Sequence, residues 1–198
     1  MTDGDRKQEA ALAAFDAANA ADPRRVAYGK EEVGYEWLYG RRMSEELERY
    51  LPDAPLHLRL AARAQHLERW RSPRESYPMD REGYLRWRAD LKKFHAARAG
   101  EILTAVGYPE ELIARVGSLL EKKRLKRDED TQALEDVICL VFLKYYAAEF
   151  AAEHPEEKVV DILRKTARKM SERGRQTART ADLPDGVREL FIQALAME

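Results

Sequence analysis

Ala133-Leu134-Glu135-Asp136-Val137-Ile138-Cys139-Leu140-Val141-Phe142-Leu143 is the stretch that decides the fold of this chain. Its apolar residues cover every face of a helical wheel apart from two adjacent acids, and a helix apolar all round is normally surrounded by others. It is far too short to span a bilayer. The stretch therefore predicts a buried helix at the centre of a bundle, with Asp136 on the face shared by Ala133, Leu140 and Leu143. A carboxylate in that low-dielectric setting needs a cation or hydrogen-bond donors.

Outward from this helix, apolar residues recur at three- and four-residue spacing with almost no two-residue alternation. The class read from this is all-α, and strands are not expected. Punctuation falls at Asp22-Pro23, between Pro52 and Pro55, at Ser72-Pro73 with Tyr77-Pro78, at Gly107-Tyr108-Pro109, at His154-Pro155, at Gly174 and at Leu183-Pro184. About eight helices follow, near 8–20, 30–50, 55–71, 80–105, 109–122, 129–153, 156–170 and 185–197, within a single domain spanning 1–198. The alanine-rich first helix is expected to pack loosely or fray.

With 44% hydrophobic and 36% charged residues and a formal net charge of −1, the 198-residue chain fits neither wholesale disorder nor a globally basic nucleic-acid binder. The lone Cys139 excludes an internal disulfide and a cysteine-built zinc site, and its apolar neighbours make it a core filler. A polar N-terminus without a signal-like apolar run, and no segment of membrane-spanning length, place the expectation in the cytoplasm with no membrane partner.

Of the four histidines, His57 and His154 lie beside prolines and read as exposed, whereas His66 and His95 read as lying inside amphipathic helices. With Asp136, three helices would each turn one ligand inward. Two imidazoles and a carboxylate suit a divalent metal such as manganese, iron, zinc or magnesium, with open positions for water. The residues allow a structural reading equally: each histidine satisfied by a backbone carbonyl, and Asp136 neutralised by Arg63 or Arg69.

Between Arg59 and Gly100 stand eleven basic residues against five acids, interleaved with Trp70, Tyr77, Tyr84 and Trp87, and a second basic run covers Lys122 to Arg127. Guanidinium groups beside aromatic rings offer phosphate contacts and stacking surfaces. Most of these charges read as solvated helix faces. Arg69, three residues past His66, Arg74 in the proline-bracketed loop, and Lys92, one turn before His95, are expected to face a phosphate-bearing ligand, with Arg63 and Trp70 also on this wall.

Two further stretches carry a resemblance. Leu60-Ala61-Ala62-Arg63-Ala64-Gln65-His66 and Phe94-His95-Ala96-Ala97-Arg98-Ala99-Gly100 resemble the two histidine helices of the HD superfamily of helical metal-dependent phosphohydrolases, and Leu134-Glu135-Asp136 falls where that superfamily places its last metal aspartate. From about Phe15 to the C-terminus the chain resembles more closely the domain-of-unknown-function family numbered 4202, through Ala64-Gln65-His66 with Arg69-Trp70, Arg74 with Tyr77-Pro78, Gly83-Tyr84-Leu85 with Trp87-Arg88, and Leu91-Lys92 with His95. The resemblance implies a single HD-domain-like bundle with its core over about 30–150, and helices 8–20 and 156–197 packed on it. It implies a metal held by His66, His95 and Asp136, with Glu135 or Glu68 as proton acceptor, acting on a nucleotide or other phosphorylated small molecule. Two positions depart from the pattern: Tyr39 stands where the first metal histidine is expected and Leu67 where the paired aspartate should follow. The departures point to the other reading, an inactive HD-like module that binds a nucleotide or RNA through its basic pocket.

Overall fold

The computed structural model describes residues 2–197. The chain is predominantly helical, as the periodicity predicts, and it divides into two compact units, one ending at Lys123 and one beginning at Arg124. Among the described residues no helix is long and apolar enough to cross a membrane.

The first unit comprises α1 (Asp3–Ala20), a hairpin of β1 (Arg25–Tyr28) and β2 (Glu31–Gly34), α2 (Tyr35–Tyr50), α3 (Leu56–Arg63), α4 (Arg81–Val106) and α5 (Glu110–Leu120). Helix α4 packs along α5, α3 lies against α2 and α5, and α1 touches α2, α3 and α4. The expectation of a fraying first helix fails for a visible reason. Ala11, Phe15 and Asn19, four residues apart, are all buried, so small side chains conceal a true packing stripe. Thr2 and Asp5 close a reciprocal capping box at its start.

The hairpin is a second correction, since no strand was expected. Val26 pairs with Val33 and Tyr28 with Glu31 across a two-residue loop, and Gly29 takes the first loop position at φ +64°. Glycine at that place suits a turn whose twist matches paired strands. With one apolar cross-strand pair and four exposed or half-exposed charges, the segment carries no alternation to read.

The predicted helix over 55–71 stops at Arg63, and the chain turns through Ala64 to Glu68, where Glu68 adopts a left-handed conformation at φ 51°. Two short 3₁₀ turns, Arg69–Arg71 and Arg74–Ser76, then lead to α4. Asp80 caps α4 by accepting from the Gly83 amide.

The second unit holds α6 (Glu129–Tyr145), α7 (Ala147–Glu153), α8 (Glu156–Lys169), α9 (Glu172–Thr180) and α10 (Asp185–Ala196). Helix α6 carries the stretch read first. It buries Leu134, Val137, Leu140, Val141 and Leu143 and packs on α7, α8 and α9, while α10 rests on α8 and α7. The helix expected over 129–153 breaks at Tyr146, and Gly174, read as a break, lies within the first turn of α9. A Cβ at Gly174 would lie 2.6 Å from the Asp136 carboxylate, so this glycine serves close approach and not chain reversal.

Between α5 and α6 the backbone takes three unusual steps. Lys122, Arg124 and Lys126 have φ of 58°, 62° and 69°, a left-handed conformation that costs roughly 1–2 kcal/mol for each residue with a side chain.

Candidate functional site

The site begins with Asn19, a residue that the sequence reading passed over. Its buried side-chain amide accepts from the Glu68 backbone N–H at 2.8 Å and donates to the Glu36 carbonyl at 3.3 Å. The end of α1 thereby fixes both the start of α2 and the left-handed turn after α3. Gly34 permits this approach, because a Cβ there would meet the Asn19 carbonyl at 2.6 Å. Tertiary hydrogen bonds, including one from His95 to the Leu67 carbonyl, satisfy the turn's backbone and override the helical propensity of the 64–68 segment.

Glu36 is fully buried on the first turn of α2. Its Oε1 accepts from Arg24 at 2.7 Å, and its amide donates to Asp22, which also binds Arg24. Its Oε2 lies 3.3 Å from His66 Nδ1 yet has no partner in hydrogen-bond geometry. Burial opposes the charge on Glu36, but the adjoining His66, the Arg24 hydrogen bond and the field of Arg69 outweigh it and hold the carboxyl below its ordinary range. An acid inside the aromatic run Tyr35 to Tyr39 was the available signal for this residue.

His66 sits in the turn and not within a helix, with 22% of its side chain exposed. The Tyr39 ring stacks on one face, centroids 3.9 Å apart and planes 12° from parallel. Arg69 Nη1 lies 3.4 Å from Nδ1 and 3.3 Å from Nε2. Near-equal distances to both ring nitrogens place the guanidinium over the opposite face and off the line of either lone pair. Burial and the Arg69 cation lower the His66 pKa to about 4, so the ring is neutral at pH 7.

His95, buried on α4, stands behind, its ring centroid 6.0 Å from that of His66. Its Nδ1 is 2.8 Å from the Leu67 carbonyl, which can only accept. Nδ1 therefore carries the proton and Nε2 keeps its lone pair. Burial, then the neighbouring His66 and Arg69, lower its pKa to about 3.

Arg69 is half-buried between rings, over His66 on one side and with its Cζ 5.1 Å from the Trp87 centroid on the other. Among the described residues no carboxylate lies within salt-bridge distance of it. Four other arginines of this wall are occupied. Arg63 binds Asp16 and Ser44, and Arg71 and Arg98 both bind Glu68. Arg74 donates to the Tyr77 and Asp80 carbonyls, which makes it a staple of the loop before α4 and turns its guanidinium away from the expected ligand role.

The remaining candidates fall as follows. Tyr39 contributes its ring face, Lys92 is half-buried on α4, and Trp70 is half-buried beside Arg69 in sequence while Trp87 supplies the actual ring contact. Glu68, the candidate proton acceptor, is neutralised by two arginines. Glu135 and Asp136 belong to the second unit. There the Asp136 carboxylate accepts from the Ser171 amide and hydroxyl and from Gln132, which seats the N-terminus of α9. Among the described residues no group of three or more histidine, cysteine, aspartate or glutamate side chains is arranged to hold a metal ion.

The first unit also has a small cavity lined by Gln8, Leu12, Ser44, Leu47, Glu48, Arg59 and Arg63, none of which belongs to the histidine site. The chemistry on offer at His66 is a neutral imidazole between a phenol ring and a guanidinium, backed by an ionised carboxylate.

Residues 9–191 match the model of one family, described as "Domain of unknown function (DUF4202)". No curated protein and no solved structure matches the chain.

Proposed function

The chain belongs to the DUF4202 family, and we propose that it is a binding module of HD-like descent that holds the phosphate of a nucleotide or another phosphorylated small molecule on Arg69. One observation carries this reading: Arg69 is half-buried, propped between two rings and, among the described residues, without a carboxylate partner, while its neighbouring arginines are spent on Glu68, Asp16 and backbone carbonyls. A cation held in place with free donors binds an oxyanion with little further ordering. The part-exposed ring of His66 supplies surface beside it.

A divalent metal does not fit the residues as they stand. The Arg69 guanidinium already lies against both nitrogens of His66 and repels a second cation, and Asp136 is taken up by Ser171. Hydrolysis is the second reading, favoured by Glu36 Oε2 beside His66 Nδ1. In that scheme His66 accepts the proton of a water whose oxygen bonds to phosphorus, Glu36 stabilises the imidazolium, the ester P–O bond breaks with that proton passing to the departing alkoxide, and Arg69 takes the developing phosphate charge.

Calorimetric titration of the full chain with nucleoside monophosphates and with the parent nucleosides separates these outcomes. Binding by the phosphates alone is expected, and Arg69→Ala should weaken it by about tenfold or more, the usual effect of losing a hydrogen bond to an ionised group. Unchanged affinity in that variant would overturn the reading. Release of inorganic phosphate, abolished by Glu36→Gln, would promote hydrolysis to first place. Tight binding of RNA with a steep loss on raising salt would point to a backbone-tracking surface instead.

A further inference from the structure

The connection into α6 holds a feature that the His66 site does not use. Arg124 and Lys126 are left-handed, at φ 62° and 69°, with Leu125 between them in the ordinary negative range. Alternation of this kind turns successive backbone N–H groups toward a common point, a concavity that binds anions. The chain adopts it without a single glycine, at a conformational cost that ordinary turns avoid. Among the described residues the amides of Arg124, Leu125 and Lys126 have no hydrogen-bond acceptor, whereas the flanking Arg127 and Asp128 amides both donate to the Arg124 carbonyl.

The surroundings suit a multiply charged anion. Arg124, Lys126 and Arg127 are exposed, and Lys126 Nζ donates to the Arg168 carbonyl on α8 at 2.8 Å, which anchors the turn. The nearest acid in sequence, Asp128, directs its carboxylate into the first turn of α6, where Thr131 donates to it from both amide and hydroxyl. We propose that the amides of Arg124, Leu125 and Lys126 form a backbone nest for a phosphate group, collared by the arginine and lysine side chains around it. The site lies wholly within the second unit and is independent of Arg69. Its ligand is a phosphate dianion, either the free ion or the terminal group of a phosphate ester.

The test is a titration of the ¹⁵N-labelled full chain with inorganic phosphate, against sodium chloride at equal ionic strength. The Arg124, Leu125 and Lys126 amide resonances should shift together and saturate with phosphate only. The double variant Arg124→Gly, Lys126→Gly favours the same backbone and should bind more weakly while still saturating. Leu125→Pro removes the central donor and should cost about tenfold or more in affinity. A parallel titration with adenosine monophosphate identifies the source: equal affinities mean that the free ion suffices, and tighter binding of the nucleotide means an ester. The absence of any saturable shift in the unmodified chain overturns the proposal. So does complete loss of binding in the double glycine variant, which would assign the effect to side-chain charge alone.

Discussion

Glu36 in the first unit and Asp136 in the second are both buried carboxylates, and they are buried to opposite ends. Asp136 receives donors from the Ser171 amide, the Ser171 hydroxyl and Gln132, with Gly174 packed against it, so its charge is spent on locating α9. Glu36 is satisfied on one oxygen by Arg24 and leaves the other facing an imidazole without a proper hydrogen bond. A saturated buried acid is part of the scaffold, while one with an open oxygen beside a titratable ring retains capacity for a ligand or a proton. The apolar helix around Asp136 makes it conspicuous in the sequence, but burial alone does not separate the two cases.

This contrast can be broken at several points. The largest effect is expected from Asp136→Ala, which orphans three donors at once and should destabilise the chain by about 3 kcal/mol or more in urea unfolding. A loss below about 1 kcal/mol would mean that Asp136 is not the scaffold acid described above.

The acid limb of stability comes next. His66 and His95 have folded pKa values of about 4 and about 3, below the ordinary 6.5, so the unfolded chain binds protons first as pH falls. Their contribution is complete above pH 6.5 and is lost as pH falls toward those folded values. Between pH 6.5 and pH 5 each neutral ring accounts for about 2 kcal/mol of that loss. Unfolding of His95→Gln across this window should show a correspondingly shallower slope, and an identical slope would show that His95 does not resist protonation. Arg74→Ala is the smallest change. Losing two hydrogen bonds to the Tyr77 and Asp80 carbonyls should cost about 1 kcal/mol and leave phosphate-ligand affinity intact. A selective loss of affinity would return Arg74 to the ligand wall.

Much of the helical framework was legible because apolar spacing and proline report local geometry directly. The breaks at Asp22-Pro23, Pro52 to Pro55 and His154-Pro155 all separate elements in the structure. Where tertiary contacts overrule local preference the reading failed. Nothing local ends α3 at Arg63; Asn19 and His95 do so by binding the backbone of Glu68 and Leu67. The pairing of His66 with His95 was within reach, since both lie among small and apolar residues. Glu36 was legible only by weighing its neighbours Tyr35, Trp37, Leu38 and Tyr39, since a surface glutamate and a buried one are otherwise spelled alike, and Arg24 carried no such signal. Gly174 shows the converse: a residue usually taken to end a helix is there to admit a carboxylate.

The Asn19 amide makes the order of assembly unequal along the chain. As the polypeptide emerges during synthesis, α1 appears first with a side chain whose two partners, the Glu36 carbonyl and the Glu68 amide, have yet to be made. The cluster around His66 thus closes only when residues 19, 36 and 68 are all present, and shortening the chain past Asn19 is expected to dismantle it even though every ring and guanidinium around it is still encoded.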